Sequence, residues 1–219
     1  MKKLLMLAGP SAVGKTTLAD YMIKGGAPFE LVRSATTRPP RGDGHDGEYI
    51  YLTEAEFVKA KQSGGMLEST EYAGALYGTP ASEIKRIFRE GKIPLLILDI
   101  EGVRSIKSLD KYPSLAVYLF DGIDVLEQRL YSRYLGENPT VEGLSRFICR
   151  KERNLAEFAD IANIALIFDA LVDNSELETS KDVVLFAYEN GVPKVEKQIL
   201  IDKIKRMLEE KELKKRANG

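Results

Sequence analysis

One segment near the start of the chain constrains the fold more than any other. A short apolar run over residues 4–8 is followed by Gly9-Pro10-Ser11-Ala12-Val13-Gly14-Lys15-Thr16, and a helical pattern then continues through Ile23. Glycines at both ends of the loop let backbone N–H groups turn inward around a polyphosphate, and the helix that follows adds its positive N-terminal end. Strand, loop and helix in this order predict a phosphate-binding loop (P-loop) on a parallel α/β sheet.

The loop residues have distinct expected tasks in holding a nucleoside triphosphate such as ATP. Lys15 is expected to place its charge between the terminal phosphates, and the Thr16 hydroxyl group is expected to ligate Mg²⁺. The predicted ATP-binding residues are Gly9, Pro10, Ser11, Ala12, Val13, Gly14, Lys15, Thr16 and Thr17. The loop by itself leaves the phosphoryl acceptor open.

The rest of the chain alternates short apolar runs with amphipathic stretches, which predicts a parallel sheet flanked by helices. The predicted strands cover residues 4–8, 29–34, 95–100, 115–120 and 165–172. The predicted helices cover residues 14–23, 54–63 with Thr53 as N-cap, 82–90, 124–135, 144–158 and 196–213, whereas 182–188 fits helix or strand. Between residues 34 and 79, prolines, glycines and short aromatic runs predict a small inserted lobe.

Charge and composition limit the partners of the chain. Its 219 residues carry 32 Lys and Arg against 33 Asp and Glu, so no overall basic field favours nucleic acid. The single cysteine, Cys149, excludes an intrachain disulfide and fits a reducing compartment. No run approaches the roughly 20 apolar residues of a membrane span, and the first apolar run is too short for a signal peptide. We expect a cytoplasmic monomer or small homo-oligomer without membrane or nucleic-acid partners.

A second basic cluster follows the loop in the sequence. Arg38 and Arg41 stand three residues apart, and Pro39 and Pro40 stiffen the chain between them. This spacing favours a preorganised clamp for a second phosphate group, although a solvated basic loop is the alternative. Two separate anion sites in a nearly neutral protein favour phosphoryl transfer between two polyanions.

Several segments, in their order and spacing, resemble the guanylate kinases. They are the loop 9–17, Ser34-Ala35-Thr36-Thr37-Arg38-Pro39-Pro40-Arg41, Asp46-Gly47-Glu48-Tyr49, Met66-Leu67-Glu68, Gly74-Ala75-Leu76-Tyr77-Gly78-Thr79-Pro80 and Leu98-Asp99-Ile100-Glu101-Gly102. The resemblance extends from residue 4 to about residue 178. It implies a Mg²⁺-dependent kinase that transfers the γ-phosphoryl group of ATP to GMP or dGMP. The alternatives are a P-loop kinase of the same fold with another phosphorylated acceptor, or a non-catalytic guanylate-kinase-like binding module, in which the phosphate loop is typically degraded.

The resemblance also implies how the chain is organised. The P-loop core covers residues 1–33 and 80–219, and a helical lid lies within it at about residues 131–150. The monophosphate-binding lobe covers residues 34–79. Arg133 matches the arginine that begins the lid. Arg150 matches a second lid arginine, with Arg146 one turn away as the alternative. Together with Lys15 and Arg38, Arg133 and Arg150 are the predicted catalytic residues, which deliver positive charge to the transferring group.

The predicted acceptor site also comes from the resemblance. Its residues are Ser34, Arg38, Arg41, Tyr49, Glu68, Tyr77, Thr79 and Asp99. The arginines and tyrosines match phosphate contacts, and Ser34 and Glu68 match guanine contacts. A carboxylate suits guanine because the base offers two adjacent donors, whereas adenine has an acceptor at the equivalent edge. Glu71 rivals Glu68 by spacing, and the resemblance favours Glu68.

Asp99 follows an apolar run and resembles a Walker-B-type carboxylate. It is expected to hold Mg²⁺ together with Thr16, through water, or to orient the acceptor. Glu101 could assist it.

Overall fold

The computed structural model describes residues 3–40, 47, 49–72, 74–191 and 194–217. Its strands are β1 Leu4–Ala8, β2 Phe29–Leu31, β3 Ser34–Thr36, β4 Tyr49–Tyr51, β5 Met66–Tyr72, β6 Ala75–Pro80, β7 Ile93–Ile97, β8 Ser114–Phe120 and β9 Ala170–Asp173. Its helices are α1 Lys15–Lys24, α2 Glu54–Gln62, α3 Ala81–Arg89, α4 Ile100–Ser108, α5 Ile123–Leu135, α6 Val141–Ala159, α7 Ile161–Ile167, α8 Leu177–Asn190 and α9 Lys194–Ala217.

The larger sheet has the strand order β2-β7-β1-β8-β9. Parallel pairing places Phe29 opposite Ile93 in β2 and β7, and Val117 opposite Ala170 in β8 and β9. Every residue of β1, and all of β8 after its first residue, is buried. Strands covered on both faces require such continuous apolar runs, because neither face of the strand meets water. The predicted α/β fold with a parallel core and flanking helices is confirmed.

A second sheet has the strand order β4-β3-β6-β5, in which β3 and β4 are parallel and the other two pairs are antiparallel. Helix α2 follows β4, and Thr53 caps it through a capping box with Glu56, which confirms the predicted N-cap. Phe57 is the buried residue of this helix. These elements fall where the small lobe is predicted; the limits of that lobe stay a prediction.

The chain divides into two compact units. One comprises Met1–Met6 with Met22–Ser114 and therefore contains the second sheet. The other comprises Leu7–Tyr21 with Leu115–Gly219 and contains the phosphate loop and helices α5 to α9. Across the described ranges, none of the helices has the length and apolar content needed to cross a membrane.

Three predicted strands need correction. The first half of the strand predicted over 165–172 is wrong, because the chain is helical as far as Ile167. Ile161, Ile164 and Ala165 are buried at helical spacing, a period that the apolar run concealed. The strand predicted over 95–100 runs instead from Ile93 to Ile97, and the unpredicted helix α4 begins at residue 100.

Residues 29–34 do not form the single predicted strand. The chain leaves the larger sheet after Leu31 and enters the second sheet at Ser34, so the segment contributes to two different sheets. The ambiguous segment 182–188 lies within helix α8.

Helix α9 is bound to the second unit by buried apolar contacts and ion pairs. Ile201 and Ile204 are buried in this unit. The ammonium group of Lys211 donates hydrogen bonds to Asp124 Oδ1 at 2.7 Å and to Glu127 Oε2 at 2.6 Å, both on α5. Lys203 of α9 pairs with Asp173 at the end of β9. The C-terminal helix is therefore an integral part of this unit.

Candidate functional site

The phosphate loop passes so close to β8 that its first residue must be glycine. A Cβ atom added to Gly9 would lie 2.2 Å from the carbonyl oxygen of Leu119, and the φ angle of Gly9 is +143°. Gly14 has a φ angle of +94°, and its carbonyl accepts the Leu18 N–H at 2.9 Å as α1 begins. Because N–H groups in the first turn of a helix have no intrahelical acceptor, the loop leads directly into an anion-attracting helix end.

Lys15 folds back along the loop that precedes it. Its ammonium group donates hydrogen bonds to the carbonyl oxygens of Gly9 at 2.8 Å and Pro10 at 3.0 Å. Burial lowers the pKa of Lys15 to about 8, because the buried ammonium group loses hydration. A polyphosphate bound in the loop would therefore stabilise the charge of Lys15.

Three arginines contribute to the electrostatic field at Lys15. Arg150 and Arg153 lie on α6, and Arg133 lies in the last turn of α5. After burial, which is the largest cause, the charges of all three lower the pKa of Lys15 further. The structure thus brings Arg133 and Arg150, both predicted to be catalytic, within electrostatic range of Lys15. Positive groups arranged in this way can stabilise charge on a transferring phosphoryl group.

Glu157 opposes this concentration of positive charge. Its carboxylate pairs with Arg153 at 3.4 Å and accepts a hydrogen bond from the Tyr118 hydroxyl group at 3.3 Å. Burial raises the pKa of Glu157, and burial also raises the pKa of Tyr118, so the phenol remains a donor. The negative charge of Glu157 raises the pKa of Lys15 and partly offsets the three arginines.

Three side chains that the sequence analysis does not assign hold consecutive carbonyl groups of the loop. Asn154 of α6, Arg129 of α5 and Asn174 after β9 donate hydrogen bonds to the carbonyl oxygens of residues 11, 12 and 13 at 3.0, 3.3 and 2.7 Å respectively. Asn174 directly follows a parallel strand, where α/β proteins place ligand contacts, so its position offered a signal. Asn154 stands in the middle of a helix and offered none.

In the first unit, the order of the second sheet groups three of the predicted acceptor-phosphate residues. Tyr49 on β4 and Tyr77 on β6 flank β3, and their ring centroids are 6.4 Å apart in an edge-to-face arrangement. The guanidinium carbon of Arg38 lies 5.1 Å from the centroid of the Tyr49 ring, a cation–π distance. The group therefore combines a cation with two phenols, the donors that a phosphate monoester needs.

Glu68 and Thr79 form the polar pair expected for a base contact. The Thr79 hydroxyl group donates to Glu68 Oε1 at 2.7 Å, and Thr79 is only 1% exposed. Gly78 permits this approach of β5 and β6, because a Cβ there would lie 2.8 Å from the Glu68 carbonyl oxygen. Burial raises the pKa of Glu68, the Thr79 hydrogen bond lowers it, and the charge of Asp99 raises it.

The remaining predicted residues and the two alternatives lie at separate positions. Ser34 begins β3 opposite Tyr49 in the register, and the rival carboxylate Glu71 lies exposed on β5. Arg41 lies outside the described residues. Arg146, the alternative to Arg150, forms an exposed ion pair with Glu142.

The predicted magnesium ligands have the right chemistry for a hard cation. Thr16 offers a partly buried hydroxyl group in the first turn of α1, and Asp99 offers an exposed carboxylate. Oδ1 of Asp99 accepts the Gly102 N–H at 2.8 Å and caps α4, so Asp99 is a helix cap rather than the predicted strand end. Within the described ranges, no three acidic, histidine or cysteine residues form a metal cluster. Mg²⁺ in phosphoryl-transfer sites usually relies on one or two protein oxygens with substrate phosphates and water, so the chemistry of each side chain suits this ion.

Comparison with known proteins gives one family. The guanylate kinase family model matches residues 1–186. The guanylate kinase of Synechocystis sp. is 33% identical over 177 residues, which cover 80% of this chain and 87% of that protein. The guanylate kinase of Sus scrofa is 30% identical over 179 residues, with 80% and 85% covered.

A solved structure gives independent support for the fold. The guanylate kinase from Anaplasma phagocytophilum superposes with a TM-score of 0.58 at 16% identity, over 88% of this chain and 97% of that chain. The family model covers most of the chain, and the relatives align over most of their own lengths. The chain therefore belongs to the guanylate kinase family.

Proposed function

We propose that this protein is an ATP-dependent guanylate kinase, which transfers the γ-phosphoryl group of ATP to GMP or dGMP and releases ADP with GDP or dGDP. The observation that carries the proposal is the intact phosphate loop in a chain of this family. Gly9, Gly14, Lys15 and Thr16 are all present, and the loop geometry needs both glycines. A non-catalytic module has no requirement for this combination.

The donor residues act by positioning and by charge. The start of α1 and Lys15 bind the terminal phosphates of ATP, and Arg133 and Arg150 neutralise charge that develops on the transferring group. Thr16, with Asp99 as a second ligand through water, would hold Mg²⁺. When bound, this ion supplies further positive charge on the phosphate oxygens. Glu157 limits the mutual repulsion of the cations before the nucleotide binds.

The acceptor residues divide between phosphate and base. Arg38, Tyr49 and Tyr77 bind the phosphate of GMP, and Arg41 is proposed to complete this clamp. Glu68 accepts the two adjacent donors of guanine, with Ser34 and Thr79 beside it. The contact between Glu68 and Thr79 supports this assignment, since the buried hydroxyl group orients a partly buried carboxylate. The proposal extends to a cytoplasmic protein, monomeric or in a small homo-oligomer, without a nucleic-acid partner.

A coupled ADP-release assay with ATP and Mg²⁺ tests the function, with GMP, dGMP, AMP, UMP and CMP supplied in turn. We expect turnover with the guanine nucleotides far above the others. Equal turnover with AMP would reject the proposed base recognition, and no turnover with any acceptor would reject the enzyme itself.

The matched variants Glu68→Gln and Glu71→Gln test the base contact. Glu68→Gln is expected to raise the KM for GMP by roughly 100-fold, because an amide cannot accept both guanine donors. Glu71→Gln removes a carboxylate from the same strand and is expected to leave this KM unchanged. The reverse result would move the base contact to Glu71.

A further inference from the structure

Helix α6 engages every polar group of one phosphate-loop residue, Ser11. Asn154 Oδ1 accepts the Ser11 N–H at 2.8 Å, and Asn154 Nδ2 donates to the Ser11 carbonyl oxygen at 3.0 Å. One turn earlier on the same helix, Arg150 Nη1 donates to Ser11 Oγ at 3.3 Å. The two hydrogen bonds of the Asn154 side-chain amide fix both backbone groups of Ser11, so the loop is held in a fixed position against α6.

The character of Asn154 shows that this contact is built into the fold. Asparagine is a poor choice for a helix interior, because its side chain competes for backbone hydrogen bonds. Asn154 nevertheless stands in the middle of the 19-residue helix α6 and is only 5% exposed. A buried primary amide must be hydrogen-bonded, and both halves of this amide are matched by Ser11. The tertiary contact therefore accounts for a residue that the helix alone would disfavour.

The residue after Ser11 explains why the loop needs such support. Ala12 has a φ angle of +67°, a left-handed conformation that is unfavourable for any residue with a Cβ. Strained backbone of this kind persists only where the surroundings over-determine it. The Asn154 contacts lie immediately before the strained residue, and Arg129 and Asn174 hold the carbonyls of residues 12 and 13.

We propose that Asn154 is a positioning residue for the triphosphate of the donor nucleotide. Asn154 positions the triphosphate by fixing Ser11, and Ser11 sets the path of the loop from Gly9 to the first turn of α1. The same helix carries Arg150, so Asn154 also keeps a proposed catalytic arginine in register with the loop. The inference rests on the proposed use of ATP, and it adds a residue that touches the loop rather than the phosphates.

The test is the affinity of Asn154→Leu for ATP and for tripolyphosphate, each measured by titration calorimetry on the full chain. Leucine keeps the number and branching of the side-chain heavy atoms of asparagine and leaves both backbone groups of Ser11 unmatched. We expect both dissociation constants to rise by the same factor, roughly 10- to 100-fold, because the loop binds phosphates and not the base. The KM for GMP should stay within about twofold of the wild-type value.

The matched control is Asn163→Leu, which removes an exposed asparagine that bonds to Asp160 in the same unit. It is expected to leave both affinities unchanged. If Asn154→Leu does not fold, Asn154→Ala decides the question, since it removes both amide hydrogen bonds to Ser11 and adds neither bulk nor charge. A purely structural role would lower the melting temperature of the variant and leave the affinities of its folded form at wild-type values.

Unchanged affinity for ATP in a folded Asn154 variant overturns the inference. If the wild-type protein binds ATP and fails to phosphorylate GMP, the proposed acceptor is wrong, and the dissociation constants still decide the role of Asn154. If the wild-type protein does not bind ATP, the proposed function and this inference both fail.

Discussion

Replacing Thr79 with valine would isolate the hydrogen bond that the proposed guanine contact depends on. The change keeps the shape of the side chain and removes the hydroxyl group that donates to Glu68 at 2.7 Å. Since Thr79 is 1% exposed, water cannot readily replace the donor. A hydrogen bond to a charged group contributes about 1.5–3 kcal/mol. Its loss would raise the pKa of Glu68 further, because the bond stabilises the charged carboxylate.

The sign of the effect on activity follows from the charged form of Glu68. Burial, with a contribution from the charge of Asp99, already holds the pKa of Glu68 above its usual value, and the Thr79 hydrogen bond opposes that shift. The carboxylate is the form that accepts the guanine donors, so kcat/KM for GMP should fall as the pH falls through this pKa. In Thr79→Val the fall should begin at a higher pH than in the wild type.

The effect on stability has the corresponding direction. A carboxyl group whose pKa is raised by folding weakens the folded state at pH values above that pKa, where the group is ionised. Thr79→Val should therefore lose about 1.5–3 kcal/mol of unfolding free energy near neutral pH. The deficit should shrink as Glu68 becomes protonated at lower pH.

The assay measures kcat/KM for GMP at saturating ATP, and for ATP at saturating GMP, from about pH 8 to about pH 5. Thr79→Ser keeps the hydroxyl group and serves as the control, and all proteins share the ionisation of the substrate. The reasoning is refuted if the GMP profile of Thr79→Val coincides with that of the wild type. A parallel loss for both substrates would also refute it.

Three further predictions concern the second unit, which contains the phosphate loop. Gly9→Ala would place a Cβ 2.2 Å from the Leu119 carbonyl oxygen, so we expect the unfolding free energy to fall by at least about 2 kcal/mol and ATP binding to be lost. Titration calorimetry that shows wild-type affinity for ATP would contradict this prediction. Because the pKa of Lys15 is about 8 and the ammonium form binds phosphate, kcat/KM for ATP should fall as the pH rises through this value. A pH profile that stays flat to about pH 10 would exclude this role of the Lys15 ammonium group. Lys211→Met breaks the partly buried contact with Glu127 and should lower the unfolding free energy by about 1 kcal/mol in a denaturant titration, whereas no change would show that this contact leaves α9 docking unaffected.

Local sequence predicted most of the elements because their signals are themselves local. The apolar run at Leu4–Ala8, the glycine loop and the capping residue Thr53 each depend on a few neighbouring residues, and the structure has them where the sequence predicts. The errors occur where local patterns are ambiguous. An apolar run such as 161–172 contains both a helix and a strand, and only the pairing of β9 with β8 decides where the strand begins.

The residues of the candidate site also divide into those that local sequence predicts and those that it does not. The motifs are contiguous in sequence and so identified Lys15, Arg38, Glu68 and their neighbours as candidates. The partners of those motifs come from distant positions, and no local pattern marks them. The contact of Asn154 with Ser11 joins residues 143 positions apart.

Residue types at fixed short spacings were enough to predict a phosphate loop on an α/β sheet and the motifs of a guanylate kinase, because each of these features is local in the sequence. Which side chains hold the loop in its strained path, and which hydroxyl group orients Glu68, became known only from the packed structure. The same holds for the packing of the C-terminal helix within the unit that contains the phosphate loop. Those contacts arise only when helices and strands pack, since packing places side chains from distant positions within hydrogen-bonding distance.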